Sequence, residues 1–293
     1  KRVNQEEFRA QKRAGRGKTG AALKESDVIK FTFRAHTHEH VLMFSNLGKV
    51  YAMKVYELPE SAAGARGKSL AQFLTLQPEE HITAMLPVRE FDENHFIFMC
   101  TSQGTVKKTE LSAFANIRAS GMRALMLDDG DQLISVKITD GTNEIVLATS
   151  FGKSIRFKEE DVRAMGRSAR GVTGMKIDDA DTIMVAEVID PNEKLLVVTE
   201  LGYGKRSGVD EYRVQTRAGK GINTLRITEK NGKVMSILSV SDNEDVMLIT
   251  NTGRVIRTPV NGITISGRVT QGVCLMRLME GEKIGSVSKP NEM

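Results

Sequence analysis

A radial, all-β fold of six propeller-like blades, with about four strands in each repeat of about 50 residues, is predicted by three features of this 293-residue sequence. A glycine returns about every fifty residues, at Gly17, Gly67, Gly121, Gly171, Gly221 and Gly272. A second ladder, Gly48, Gly104, Gly152, Gly202 and Gly253, marches in step with it, each glycine closing an apolar run. Every unit ends on another β-rich run: VIKFTF from Val28, ITAMLPV from Ile82, LISVKI from Leu133, IMVAEVI from Ile183, VMSILSV from Val234 and IGSV from Ile284. Self-similarity at a fixed period of this length is the mark of a repeat architecture.

Within each unit the elements follow in a set order. The apolar runs, such as VLMFS, FIFMC, IVLAT, LLVVT and VMLIT, are short and bounded by turn residues, which reads as a buried strand. The Gly turn that follows is a hairpin signal, and the run after it (KVYAMKV, TVKKTEL, KSIRF) is the returning strand. A third strand follows the second glycine, and the closing β-rich run is the fourth. Four strands per unit of this length make a propeller blade. The repeats fall at about 1–33, 40–88, 95–138, 144–189, 194–240 and 245–288, with no Pro/Ser-rich linker between them, so residues 1–293 are expected to form a single domain. Lys1 and Arg2 align with Lys205 and Arg206, so the first repeat is expected to begin after its opening strand, in a chain that is part of something longer.

Cys100 and Cys274 are the two cysteines, without CxxC spacing, and Cys100 sits inside an apolar run. That points to a reducing, cytoplasmic setting rather than to disulfides or a zinc site. No apolar stretch approaches the length of a membrane-crossing helix, and no membrane partner is expected. His36, His38 and His40 alternate, but they lead into a buried strand with no fourth ligand close by, and no metal is expected. Gly17-Lys18-Thr19 and Gly67-Lys68-Ser69 imitate the end of a phosphate-binding loop, yet Lys12 and Ala62 stand where that loop needs its first glycine. No nucleophile, base or paired-carboxylate set is evident, so this segment is expected to carry no catalytic residue.

The net charge of +5 hides a sorted distribution. Residues 1–24 hold eight basic side chains against Glu6 and Glu7, so the remainder sums to −1. Basic residues follow the hairpin turns (Lys107, Lys108, Lys153, Arg156, Lys205, Arg206, Arg254, Arg257). Others flank the second glycine (Arg66, Lys68, Arg118, Arg123, Arg167, Arg170, Arg217, Lys220, Arg268). Acidic residues gather before the last strand, as at Asp128, Asp129 and Asp131, at Asp178, Asp179 and Asp181, and at Glu280 and Glu282. If equivalent positions share an edge, one edge of the disc is basic and another acidic, a surface suited to a polyanion. With no Trp and 5% aromatics, stacking on unpaired bases is poorly supplied, which favours duplex DNA over single strands.

The densest cationic stretch is Gln11-Lys12-Arg13-Ala14-Gly15-Arg16-Gly17-Lys18, where charges alternate with residues that let the backbone approach phosphates. This QKRAGRG stretch resembles the QRRGGKG-type box found in the A chain of bacterial DNA gyrase, a type IIA topoisomerase. HVLMFSNLGKVYAMKVYELPESAAGARGKSL, ITAMLPVREF and TVKKTELSAF resemble the C-terminal DNA-wrapping domain of gyrase A, and the likeness covers essentially the whole sequence. Ala14 departs from the pattern, replacing the first box glycine while leaving the charges in place. A weaker copy, QTRAGKG, occurs at 215–221.

The resemblance implies a β-pinwheel, with strands shared between neighbouring blades, that wraps duplex DNA around a basic rim. The box residues Gln11, Lys12, Arg13, Gly15, Arg16, Gly17 and Lys18 would fix the path of the wrap, and the later Lys and Arg residues would supply most of the affinity. It implies an A2B2 assembly with the rest of gyrase A and gyrase B, in which ATP and Mg act elsewhere, this chain holding no cofactor. The alternatives are the corresponding domain of topoisomerase IV, which lacks an intact box, and a propeller scaffold for protein partners.

Overall fold

The computed structural model describes residues 1–3, 33–62 and 65–289. Strands β1 (His40–Ser45), β2 (Lys49–Lys54), β3 (Ile82–Val88), β4 (Phe96–Thr101), β5 (Thr105–Glu110), β6 (Met122–Arg123) and β7 (Leu133–Thr139) begin the series. They are followed by β8 (Glu144–Thr149), β9 (Lys153–Lys158), β10 (Val172–Thr173), β11 (Ile183–Ile189), β12 (Lys194–Thr199), β13 (Tyr203–Gly208) and β14 (Ile222–Asn223). The last five are β15 (Val234–Val240), β16 (Asp245–Thr250), β17 (Val255–Pro259), β18 (Val273–Cys274) and β19 (Ile284–Ser288). They form four four-stranded sheets, ordered β3-β1-β2-β6, β10-β5-β4-β7, β11-β8-β9-β14 and β15-β12-β13-β18, and a three-stranded sheet, β17-β16-β19.

The fold is therefore all-β and propeller-like with four strands per blade, but five sheets stand among the described residues where the sequence leads to six. The sixth expected blade falls on repeat 1–33, of which residues 4–32 lie outside the described residues. Its first residues do occupy the expected place. Arg2 N donates to Pro59 O at 2.9 Å and Arg2 O accepts from Ser61 N at 3.0 Å, as Arg206 does with Thr264 O at 3.0 Å and Ser266 N at 2.9 Å.

Each of the four complete sheets borrows its outermost strand from the following repeat: β6 pairs with β2, β10 with β5, β14 with β9 and β18 with β13. Those borrowed strands are two residues long and mark the outer rim. At the opposite edge β3, β7, β11, β15 and β19 touch one another in succession, where the sheets converge.

The unbroken apolar runs follow from burial on both faces. In β4, Ile97 and Met99 pack with Leu42 and Phe44 of the preceding sheet, while Phe98 and Cys100 pack with Ile145 and Leu147 of the next. Val146 and Ala148 then meet Leu195 and Val197, and Leu196 and Val198 meet Val246 and Leu248. A strand with period-two side chains and a neighbour on each face must be apolar at every position. Burial pushes the Cys100 thiol well above its ordinary range, so it is an inert core residue.

The hairpin glycines are required by a close approach. Gly104 has φ +85, and a Cβ there would stand 2.6 Å from Met175 O, which belongs to the neighbouring repeat. That carbonyl cannot recede, because Gly174 N and Met175 N both donate to Gly104 O. Gly104→Ala is expected to cost about 2 kcal/mol or more, combining left-handed strain with the clash. Gly130→Ala, at φ +77 with nothing within 4 Å, should cost only the strain, about 1 kcal/mol. Equal losses in paired chemical-denaturation curves would contradict this account of the hairpin ladder.

Candidate nucleic-acid interface

The outer rim is built from the borrowed strands and the loops that carry the second glycine. Gly171 (φ +101) and Gly221 (φ +71) lie so close to Val106 O and Ser154 O that a Cβ would clash with both carbonyls. The loop is thereby pressed against the preceding blade, and the side chains flanking the glycine are turned outward. Arg66, Lys68, Arg118, Arg123, Arg170 and Lys220 are exposed here, and Arg167, Arg217 and Arg268 are half-buried.

These last three tie adjacent repeats. Arg217 donates to Asp161 O at 2.9 Å and Thr173 O at 3.0 Å, Arg268 to Asn223 O, and Arg167 to Met122 Sδ at 2.7 Å. Each reaches from its own loop to the glycine loop of the repeat before it, making the rim continuous from blade to blade.

The basic residues after the hairpin turns divide into two groups. Lys107 and Lys205 are 0% exposed, Arg206 4% and Lys108 6%, which corrects the expectation that this whole series faces the rim. Lys107 Nζ donates to Ala124 O at 2.8 Å, Arg167 O at 2.5 Å and Ala169 O at 3.0 Å. Lys205 Nζ donates to Gly267 O at 2.7 Å and to Arg268 O, and Lys1 Nζ donates to Ala62 O at 3.1 Å and Ala65 O at 2.8 Å. Each ammonium thus caps inward carbonyls of the next repeat's rim loop. Desolvation, with Arg167 beside Lys107 and Arg268 beside Lys205, brings both pKa values down to about 8.

The residue after each buried lysine clamps the next repeat's 3₁₀ turn instead. Lys108 Nζ donates to Glu159 O at 3.3 Å, and Arg206 Nε to Ile263 O at 2.8 Å. Arg156, with the same role, donates to Val209 O at 2.7 Å and Tyr212 O at 2.9 Å. These side chains are staples between blades, spent on carbonyls that burial would otherwise leave unpaired.

Lys153, Arg254 and Arg257 are accessible, but each holds a carboxylate: Asp178 at 2.6 Å, Glu282 at 2.6 Å and Asp245 at 2.5 Å. Arg170 likewise pairs with Asp128. The pairs of Lys153, Arg257 and Arg170 are exposed and worth about 0–1 kcal/mol, so a phosphate can compete for those cations, whereas the Glu282 carboxylate beside Arg254 is buried.

The acidic edge is also partly structural. Asp131 accepts from Ser102 Oγ at 2.8 Å, Gln103 N at 3.0 Å and Gln132 N at 2.8 Å, fastening its turn to the preceding hairpin. Asp181 repeats this with Ser150 Oγ at 2.8 Å, Phe151 N at 3.1 Å and Thr182 N at 2.8 Å. Glu282 accepts from Thr252 Oγ1 at 2.6 Å, Met279 N at 2.9 Å and Arg254, which hold its carboxyl down at about 2. A carboxylate with a depressed folded pKa stabilises above its unfolded value and loses that contribution as pH falls through the folded one. The stability gap between wild type and Glu282→Gln should be full at neutral pH and close between about 4.5 and about 2; a gap constant through that window would remove Glu282 as an anchor.

Three exposed cations lie on this surface without being singled out by sequence: Lys176, Arg226 and Arg277, each five residues after a second glycine. Their common spacing from the glycine ladder is the signal that marks them. The box residues Gln11, Lys12, Arg13, Gly15, Arg16, Gly17 and Lys18 lie outside the described residues. Of the alternating histidines, His40 opens β1 with its ring edge-on to Phe91, and His38 packs against Tyr56. Among the described residues no group of three His, Cys, Asp or Glu is placed to hold a metal, and no helix is long and apolar enough to cross a membrane.

A family model described as DNA gyrase C-terminal domain, β-propeller matches residues 1–35, 39–89, 95–140, 143–190, 193–241 and 244–290. The gyrase A protein of Escherichia coli (strain K12) is 44% identical over 286 residues, covering 98% of this chain and 33% of its own length. The gyrase A protein of Streptococcus pyogenes serotype M1 is 54% identical over 285 residues, covering 97% of this chain and 34% of its own length. The chain thus spans about a third of the length of these relatives. A crystal structure of a DNA topoisomerase IV C-terminal domain aligns with TM-score 0.83 and 28% identity over 99% of this chain and 89% of that one. A DNA gyrase A C-terminal domain structure aligns with TM-score 0.77 over 87% of this chain and 83% of that one; at 24% identity it speaks for the fold alone.

Proposed function

This chain belongs to the DNA gyrase C-terminal β-propeller family, and on that premise we propose that it binds duplex DNA and wraps it around the outer rim. In the gyrase holoenzyme, formed in the cytoplasm with gyrase B and the rest of gyrase A, the wrap presents a DNA segment for ATP-dependent negative supercoiling. DNA cleavage, ATP and Mg belong to the rest of that assembly. The observation that carries the reading is the run of exposed cations along one edge of successive blades: Arg123, Arg170 and Lys176, Lys220 and Arg226, then Arg277.

Bending 20–30 base pairs tightly costs about 1–6 kcal/mol. Counterion release at many phosphates, spread over several blades, can offset that cost without any reading of base sequence. Lys107, Lys108, Lys205 and Arg206 are set aside as rim contacts because their charges are spent inside the fold. Arg66, Lys68, Arg118, Arg123, Arg167, Arg170, Arg217, Lys220 and Arg268 remain in the set, with Lys153 and Arg257 available once released from their carboxylates and Arg254 offering only the side of its guanidinium that the buried Glu282 leaves exposed. The box at 11–17 is given the role of fixing the DNA path. Titrating random-sequence duplex DNA against the protein at several salt concentrations tests this: log K should fall linearly and steeply with log[salt] and vary little with sequence. Salt-independent or absent binding would favour a protein scaffold.

A further inference from the structure

We propose that Asn261-Gly262 is a self-modification site, at which the chain deamidates without an enzyme and places a carboxylate, in aspartyl or isoaspartyl form, on the last blade. The site is independent of the wrapping function.

The sequence holds two Asn-Gly pairs, at 231–232 and 261–262. Glycine makes such a pair reactive, because without a Cβ its nitrogen can swing onto the carboxamide that precedes it. The fold sets the two pairs apart. Asn231 is 1% exposed, and its side chain is held at both ends. Its Oδ1 accepts from Thr228 N at 2.7 Å and Thr228 Oγ1 at 3.1 Å, and its Nδ2 donates to Arg226 O at 2.9 Å and Gln271 O at 3.1 Å. Gly232 is packed against Glu200 and Leu201 at φ +71. These contacts must break before a ring can close.

Asn261 and Gly262 are both exposed, in the 3₁₀ turn Val260–Gly262. The Asn261 carboxamide makes no hydrogen bond among the described residues, and a Cβ at Gly262 would meet nothing within 4 Å. A single exposed turn, closed by Ile263 N donating to Val260 O at 3.0 Å, opens by local fluctuation. The equivalent turns read Glu159-Glu160-Asp161 and Val209-Asp210-Glu211, with Glu160 and Asp210 exposed at the place of Asn261. An aspartyl product is therefore accommodated by the blade.

The reaction needs only water. Gly262 N attacks Asn261 Cγ, the Cγ–Nδ2 bond breaks, and ammonia leaves with the proton that Gly262 N gives up. Water then opens the cyclic imide. Opening at Cγ gives aspartate. Opening at the main-chain carbonyl gives isoaspartate, in which the chain runs through the former side chain and the former Asn261 O belongs to a free carboxylate. Arg206 faces that oxygen, its Nη2 donating to Asn261 O at 3.3 Å while its Nε holds Ile263 O at 2.8 Å. The isoaspartyl link lengthens the chain between two oxygens that one guanidinium holds, so it loosens the seam between the fifth and sixth repeats.

Incubating the whole chain at mildly alkaline pH and mapping its peptides by mass spectrometry tests this. In folded protein, position 261 should change from amide to acid at least about tenfold faster than position 231, whose hydrogen bonds must break first. In denatured protein the two should convert at similar rates. Gly262→Ala should fold normally and slow conversion at 261 by about tenfold or more. The isoaspartyl form, separated by ion exchange, should melt below fresh protein, and Asn261→Asp, which keeps the main chain, should not. Equal conversion at 231 and 261 in folded protein, or an Asn261 that stays intact there while the denatured chain converts, refutes the site. Isoaspartyl protein that melts with fresh protein refutes the link to the Arg206 seam.

Discussion

Lys107→Met is expected to destabilise the fold by about 2–4 kcal/mol while changing the DNA affinity of the folded protein less than about threefold. The substitution keeps the length of the side chain and removes the ammonium that caps Ala124 O, Arg167 O and Ala169 O. An unpaired buried acceptor costs about 1–3 kcal/mol, and Ala124 is fully buried, while water can reach part of the loop at 167–169. Removing a buried charge returns some desolvation energy, which keeps the net loss below the sum of three carbonyls. For a chain of this size such a loss lowers Tm by about 3–7 °C. The pH dependence carries a sign as well. Burial, reinforced by Arg167, brings the Lys107 pKa from 10.5 down to about 8, so between those values the unfolded chain binds more protons than the folded one. Folding then strengthens with rising pH through this window in wild type and not in the variant, and the gap between them should widen. A large loss of affinity with little loss of stability would mean that Lys107 reaches DNA.

Neutralising the four rim cations Arg123, Lys176, Arg226 and Arg277 together, each to Gln, should do the reverse. All four are exposed, and their side chains form no ion pair among the described residues, so unfolding should shift by less than about 1 kcal/mol. Each neutralised phosphate contributes about 0.9 to the salt slope, so the slope should fall by about 3.6 and affinity near physiological salt by about 100- to 1,000-fold. Positions on separate blades share no partners, and the four single losses should add. A salt titration of each single variant and of the quadruple one checks this, and a quadruple variant that retains its slope would move the interface off the rim.

The repeat, its period and the starts of the closing strands at Ile82, Leu133, Ile183, Val234 and Ile284 were legible in the sequence, because glycines and unbroken apolar runs report directly on turns and on two-sided burial. The partners of the strands after the second glycine were not. Met122-Arg123 is too short for any periodicity, and its partner Lys49-Val50 lies in the preceding repeat, a pairing that only tertiary structure reveals. The buried lysines misled for a related reason: charge reads as exposure unless the local environment is known. A signal was nevertheless present in the ladder. The third residue after each hairpin glycine is Tyr51, Lys107, Ile155, Lys205 and Ile256, and a position that is apolar in three of five copies is an interior position. Lysine is tolerated there because the loop carbonyls of the next repeat converge on it.

The central claim, that DNA follows the rim around the disc, is tested most directly by sealing nicked circular DNA with ligase in the presence of the protein and measuring the linking number after its removal. A positive shift, abolished at high salt, absent in the quadruple rim variant and reduced when Lys12, Arg13 and Arg16 become Ala, is the predicted result. Tight binding with no shift in linking number would contradict it, leaving a basic surface that holds DNA without wrapping it.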